Sequence, residues 1–418
     1  MAGILVIWFI AFTNYSSPRE DTTAILIETS DVEHVKIGKT WWEIAWLFVS
    51  GMLKSIATAW GGYRLIIRGS RCLIDFLSRS SFARNMVENE TMLFATTQNK
   101  TLVFKKIPTA LPVVGEHLVV EDRPIDGDAP ENAMRSYFPA FELDDPVTNS
   151  TICKVLESNA FNFAEGDLVC TYTHIAEYAY VPSSLLELSH KIQNPHSLDL
   201  GLFLGPLGMP GLTAWSGLYK IGRPKKGETI FVSSAAGAVG QPVGQIAKRE
   251  GLTVIGSVGS DEKVDFVTKD LGFDAGFNYK NERPKDALPR LAPDGVDIYF
   301  ENVGGDHLEA ALPSMNTDER IAICGMISNY NIPADQQQGI KGLMELVSKS
   351  ITMEGFLNTN PKFGPAYFAE HQEKLQKWIA DGSVKAKLAV TEDIENASDG
   401  LIGMLVGKNF GKAVLKVR

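Results

Sequence analysis

The sequence predicts an α/β protein in which a doubly wound parallel sheet is joined to a smaller β-rich domain. Three observations carry this. From residue 229 to about 356, β-branched runs alternate with helix-length stretches; from 91 to about 204 the runs are short and broken by Pro, Gly, Asn and Asp; and small residues link a strand to a helix at 234–240. Alternation of this kind builds a parallel sheet covered by helices on both faces, whereas short, closely spaced strands build antiparallel layers.

In chain order, short strands are expected at Thr101 to Phe104, His117 to Val120, Ile152 to Leu156, Asp167 to Tyr172 and Ala176 to Val181. After Pro210 the period changes: Leu212, Trp215, Leu218 and Tyr219 recur at helical spacing, and Gly222 and Pro224 stop that helix. The sheet strands follow at Thr229 to Ser234, Thr253 to Val258, Ala275 to Asn278, Val296 to Phe300, Ile321 to Gly325 and Thr352 to Phe356. A helix at Glu370 to Ala380 and a strand at Lys412 to Val417 close the chain and can return to the first domain.

Composition narrows the function. The 418 residues, 44% apolar and 22% charged, suffice for two cores at roughly 150 residues per domain. A net charge of -10, with no dense Lys/Arg block, argues against nucleic acid as a partner. Cys72, Cys153, Cys170 and Cys324 are far apart, without a Cys-x-x-Cys pair or Cys/His cluster, so no metal site is expected and a reducing, cytoplasmic setting is. Residues 1–85 differ from the rest, since five of the seven tryptophans (Trp8, Trp41, Trp42, Trp46, Trp60) lie there. Its apolar stretches, Gly3 to Phe12 and Ile44 to Leu53, fall short of the ~20 residues a span needs. The segment reads first as an extension outside the functional domain, and second as an interfacial helix or marginal span touching a membrane.

The segment richest in chemistry is Thr229 to Gly251: a strand, then Ser234-Ala235-Ala236-Gly237-Ala238-Val239-Gly240, then a helix from Gln241. Small side chains at Gly237, Ala238, Val239 and Gly240 let backbone N–H groups and the positive helix end approach a pyrophosphate, and Pro242 sits where its missing N–H costs nothing. The next strand ends Gly259-Ser260-Asp261-Glu262-Lys263, without the acidic tip that would hold an unmodified ribose. Lys263 can instead pair with a 2'-phosphate, which favours NADP(H) over NAD. Two further strand ends, Glu301-Asn302-Val303-Gly304-Gly305 and Cys324 to Tyr330, put glycine and hydrogen-bonding groups where a ligand of such a sheet lies. Asn302 as a plain turn residue and Tyr330 as a half-buried aromatic are the alternatives.

These residues together resemble the zinc-independent medium-chain dehydrogenase/reductases, within them the prostaglandin reductase and alkenal double-bond reductase branch. The similarity runs from about Met92 to Arg418 and is densest at Gly205 to Gly211, Ala235 to Gly240, Gly259 to Lys263, Phe277 to Lys280, Glu301 to Gly305, Cys324 to Tyr330 and Asn409 to Lys412. The resemblance implies a GroES-like catalytic domain at 86–205, a Rossmann domain binding NADP(H) at 206–357, a return to the catalytic domain at 358–418, and usually a homodimer. It also implies that Lys263 meets the 2'-phosphate and Tyr279 the adenosine side. Asn302, Cys324, Gly325, Ile327, Ser328, Tyr330, Phe356, Leu357, Asn358 and Asn409 would meet the rest of the cofactor.

Where relatives carry Asp-Pro-Tyr-Met-Arg, this chain reads Glu131-Asn132-Ala133-Met134-Arg135, so the substrate-side tyrosine is replaced by Ala133. The expected reaction is NADPH-dependent reduction of a carbon–carbon double bond conjugated to a carbonyl, on a small activated alkene. With no metal to polarise the carbonyl, Tyr330 is the candidate catalytic donor to the developing oxyanion. A quinone reductase or stand-alone enoyl reductase would use the same chemistry. A non-catalytic NADPH-binding sensor is the reading from another class, given Ala133.

Overall fold

The computed structural model describes residues 24–28, 99–108, 111–124, 142–330, 332, 336–337 and 339–417. Its first part is a five-stranded antiparallel sheet built from β1 (Ala24–Glu28), β4 (Thr148–Ser158), β5 (Leu168–His174), β6 (Tyr178–Pro182) and β7 (His190–Lys191), in the order β6-β1-β4-β5-β7. Beside it, β2 (Lys100–Phe104) and β3 (Leu118–Asp122) pair with each other. Along β5 every second residue (Val169, Thr171, Thr173) is buried, the period of a strand with one face on a core. Cys153, Val155, Val169, Ala179 and Val181 form that core.

β1 comes from the segment expected to stand apart. Ala24–Glu28 pairs antiparallel with β4 on one side and with β6 on the other, so five residues of 1–85 form an interior strand of the β-rich sheet. The other described residues begin at Asn99, and the apolar stretches proposed for a membrane lie outside them. No helix among the described residues is long and apolar enough to cross a membrane. Starting the chain at residue 86 opens two ladders at once, so its thermal midpoint is expected to fall below that of a chain starting at residue 20. Equal midpoints in a melt of the two would show that the strand contributes nothing.

The second part holds six parallel strands: β8 (Thr229–Val232), β9 (Thr253–Val258), β10 (Ala275–Asn278), β11 (Val296–Glu301), β12 (Met315–Ile323) and β13 (Thr352–Gly355). They lie in the order β10-β9-β8-β11-β12-β13, and every pairing is parallel. Alternate residues feed two cores. Ile230, Val232, Val254, Ile298 and Phe300 face α1 (Met209–Gly217) and α2 (Gly240–Arg249). Phe231, Ile255, Phe277, Tyr299 and Ile321 face α4 (Pro284–Leu291) and α5 (Gly305–Ser314), which follow the short α3 (Asp261–Asp265). Burial on both faces explains why the central strands β8, β9 and β11 read as continuous apolar runs.

Several elements depart from expectation. Helix α6 (Gly364–Ala380) begins six residues before Glu370, because Pro365 occupies the first turn, where its missing N–H is harmless. β14 (Leu388–Glu392) and α7 (Ala397–Leu405) precede the closing β15 (Lys412–Lys416), which pairs with β14 in parallel. The first sheet strand stops at Val232, since Ser234 turns into the left-handed region with φ of 51°.

Candidate active site

Strand order reverses between β9-β8 and β11, so the chain leaves the carboxyl ends of β8 and β11 toward opposite faces of the sheet, and the crevice where ligands of such sheets bind lies between those two connections. The turn out of β8 is tightly wound there: the Ala235 amide donates to Ser257 O and that of Gly237 to Ser234 O, both at 2.9 Å. A Cβ on Gly240 would stand 2.4 Å from Ser234 O, and one on Gly237 2.9 Å from Ser234 Oγ. The glycines are thus required by the turn's own packing before any ligand arrives. The ten-residue α2 begins at Gly240; the amides of Gln241 and Val243 are taken by Gly237 O and Val239 O and Pro242 has none, so what α2 adds at this turn is chiefly the positive end of its dipole. Such a cradle fits a pyrophosphate.

A buried carboxyl knots the strand ends together. Glu301 Oε1 accepts from Ser233 Oγ at 2.9 Å and from the Val303 amide at 2.5 Å, while the Glu301 carbonyl accepts the amides of Cys324 and Gly325. Asn302 donates its backbone N–H to Ser233 Oγ and its side-chain amide to Ser233 O, both at 2.8 Å. Its turn carbonyl in turn takes the Ile327 amide, and Val303 O takes both the amide and the hydroxyl of Ser328. Asn302 therefore ties β11 to the exit of β8 instead of merely closing its own turn. Burial pushes the Glu301 carboxyl above its ordinary range even though these donors oppose the shift. Neither Glu301 nor Ser233 stood out in the sequence; a Glu at a strand tip carries no mark of being buried.

At the opening of this knot lies Tyr330, 60% exposed, following the helical turn Ile327–Asn329. Its hydroxyl lies 3.2 Å from the point where a Cβ on Gly325 would be, so that glycine makes room for the phenol. Partial burial raises the phenol above its ordinary range, with the neighbouring Cys324 adding to the shift. Burial, and then Glu301, push the Cys324 thiol up to about 12. The partly buried Phe356 ring stacks on Phe363 at 5.0 Å and meets Phe300 edge-on, packed against the core around α1. Leu357 is 44% exposed, and Asn358 donates to Met209 O at the start of α1.

The remaining expected residues gather at the ends of β9 and β10. Tyr279 packs its ring over Gly259 and edge-on against His307, which is itself buried, bonded to Ser257 Oγ and neutral, with its pKa down at about 4 through burial. The Asp261 carboxylate, which would repel a phosphate, accepts instead from the side-chain amides of Asn278 and Asn281. Lys263 forms no ion pair among the described residues and directs its ammonium at the carbonyls of Gly407 and Asn409. Asn409 donates its side-chain amide to Gly411 O. Ala133 and its neighbours lie outside the described residues, as does Cys72. No cluster of His, Cys, Asp or Glu able to hold a metal occurs among the described residues.

A parallel sheet whose order reverses above a small-residue turn defines an α/β protein of the dinucleotide-binding class. Residues 238–375 match the family model described as zinc-binding dehydrogenase. The chain is 46% identical over 344 residues to an NADP-dependent oxidoreductase of Cochliobolus heterostrophus, covering 77% of this chain and 98% of the relative. It is 41% identical over 322 residues to the NADP(+)-dependent 2-alkenal reductase of Nicotiana tabacum, covering 77% and 91%. The crystal structure of CurA in complex with NADPH from Vibrio vulnificus matches with a TM-score of 0.66 and 32% identity, over 76% of this chain and 99% of that one. The chain belongs to the medium-chain dehydrogenase/reductase family, in its zinc-independent branch, and is an oxidoreductase.

Proposed function

We propose that the protein is an NADPH-dependent reductase of carbon–carbon double bonds conjugated to a carbonyl. The observation that carries this reading is the knot around Glu301, which holds the Ser234–Gly240 turn, Asn302 and the Cys324–Tyr330 segment in one crevice with a phenol at its mouth. The tobacco 2-alkenal reductase and the (+)-pulegone reductase of Mentha piperita, 41% identical over 280 residues, support the substrate class. When bound, NADPH supplies the hydride that adds to the β-carbon of the alkene. Negative charge then accumulates on the carbonyl oxygen, and the Tyr330 hydroxyl is the group of this chain that donates to it. Gly237, Ala238, Val239 and Gly240 hold the pyrophosphate, Lys263 the 2'-phosphate, and Tyr279 the adenosine. Asn302, Cys324, Gly325, Ile327, Ser328, Phe356, Leu357, Asn358 and Asn409 border the remainder. Oxidation of NADPH by the full chain, followed at 340 nm with enals, enones and quinones, tests the reading; saturable binding without turnover on any of them would replace it with a sensor.

A site for electrophilic alkenes must also keep its own thiols from adding to them. With burial holding its pKa up at about 12, the Cys324 thiol stays protonated at neutral pH and is a poor nucleophile. Cys324 is therefore expected to remain unmodified when the protein turns over an enal, as peptide mass analysis would show; rapid adduct formation there would contradict its raised pKa. A second copy of the chain as partner is supported by β13, an edge strand exposed along all four residues, and by exposed Leu343, Met344 and Val347 near it. Sedimentation of the full chain tests for that dimer.

A further inference from the structure

Lys263 does more in this fold than carry a charge at the edge of a site. Its Nζ lies 2.9 Å from Asn409 O and 3.2 Å from Gly407 O, joining α3 to a segment 144 and 146 residues further along the chain. That segment is held at other points as well. Phe410 meets Phe266 edge-on at 4.9 Å, and the Lys387 ammonium stands 3.9 Å over the Phe410 ring. The Lys387 amide donates to Gln241 Oε1 in the first turn of α2, and the Lys387 carbonyl accepts the Lys412 amide at the start of β15. β15 then runs into the β-rich part, where Leu415 packs against Leu102, Leu118 and Val147.

An ammonium has three N–H donors, and two of these three point at neutral carbonyls. Neither carbonyl cancels the charge, no carboxylate pairs with Lys263 among the described residues, and partial burial and the nearby Lys280 both work against its protonated form. An anion that takes the third donor would hold Lys263 charged and so strengthen its bonds to both carbonyls.

We propose that Lys263 is a positioning residue for Gly407–Gly411: a phosphate on the coenzyme's 2'-oxygen tightens that segment, with Asn409 in it, against the cofactor domain, so that the phosphate acts on turnover as well as on affinity. The proposal rests on the NADPH reading of the site. It predicts a coenzyme preference that survives saturation, with NADH giving a lower kcat than NADPH and Lys263→Met reducing the NADPH value to that of NADH.

The test that needs no turnover is hydrogen exchange of the full chain, read in peptides spanning 407–412, with adenosine 2',5'-bisphosphate or 5'-AMP as probe. The bisphosphate is expected to slow exchange there about tenfold, in keeping with one added charge-assisted hydrogen bond. Saturating 5'-AMP should leave it unchanged. Lys263→Met should remove the slowing, and Lys263→Arg, which retains charge and donors, should restore it. Calorimetric binding of the bisphosphate without any change at 407–412 overturns the coupling and leaves the NADPH reading standing. Equal slowing by both probes also overturns it, since adenosine would then be the cause. No binding of the bisphosphate removes both.

Discussion

Tyr330→Phe is expected to lower kcat for an enal or enone by about 10² to 10³, the usual effect of removing one preorganised donor to an oxyanion, while NADPH affinity stays within a factor of two. The change deletes one oxygen. The ring that rests beside Gly325 is retained, and so is the turn Ile327–Asn329 that leads to it. The loss should therefore fall on kcat and kcat/KM together, as for an interaction made mainly in the transition state. The pH profile gives a second readout. A phenol must be protonated to donate, and the shift of Tyr330 above its ordinary value extends its useful range upward. Turnover should show no fall from this group between pH 6 and about pH 10, and any loss at higher pH should be absent in Tyr330→Phe. Unchanged turnover in the variant would exclude Tyr330 as the donor and leave a coenzyme hydroxyl or water to do the work.

The sequence displays the features that depend on local chemistry and conceals those that depend on distant partners. The strand Thr253–Val258 falls where its β-branched and apolar run puts it, because burial on both faces writes itself into composition. The turn 234–240 is legible for a related reason: no larger side chain fits there, whatever the ligand. Ala24–Glu28 is not legible as part of the β-rich sheet, since its partners β4 and β6 lie more than 120 residues away and five apolar-leaning residues look alike in any setting. Glu301 is hidden by its type, because a carboxylate at a strand tip suggests solvent, and its full burial and the donors of Ser233 and Val303 show it to be internal. Lys263 is intermediate. Its position after β9 suggested a phosphate, but its bonds to Gly407 and Asn409 join segments that no spacing rule connects.

Arg320→Met is expected to cost about 3–5 kcal/mol of stability, read as a lowered urea midpoint, through the loss of a cation from a buried, fully used site. The Arg320 side chain is only 5% exposed. Its Nε donates to Gly222 O at 2.6 Å and its Nη2 to Arg223 O at 3.2 Å, fastening the left-handed exit of the helix that α1 begins. Its other donors reach Glu228, just before β8, and Glu319. Methionine would fill the volume and take this donor from both carboxylates and from the carbonyls of Gly222, Arg223 and Asp297. Arg320→Lys should lose less, keeping the charge but not the fork that serves five acceptors. The sign of the pH dependence separates this explanation from simple loss of packing. Burial holds Glu319 above its ordinary value even with Arg320 beside it, and removal of the cation must raise it further. A carboxyl with a higher pKa folded than unfolded takes up a proton on folding, so its penalty is greatest well above the folded value and fades as pH falls through it. The deficit of Arg320→Met should accordingly shrink between pH 8 and about pH 5. A deficit constant over that range would mean that packing around β12, and not the stranded carboxylates, accounts for the loss.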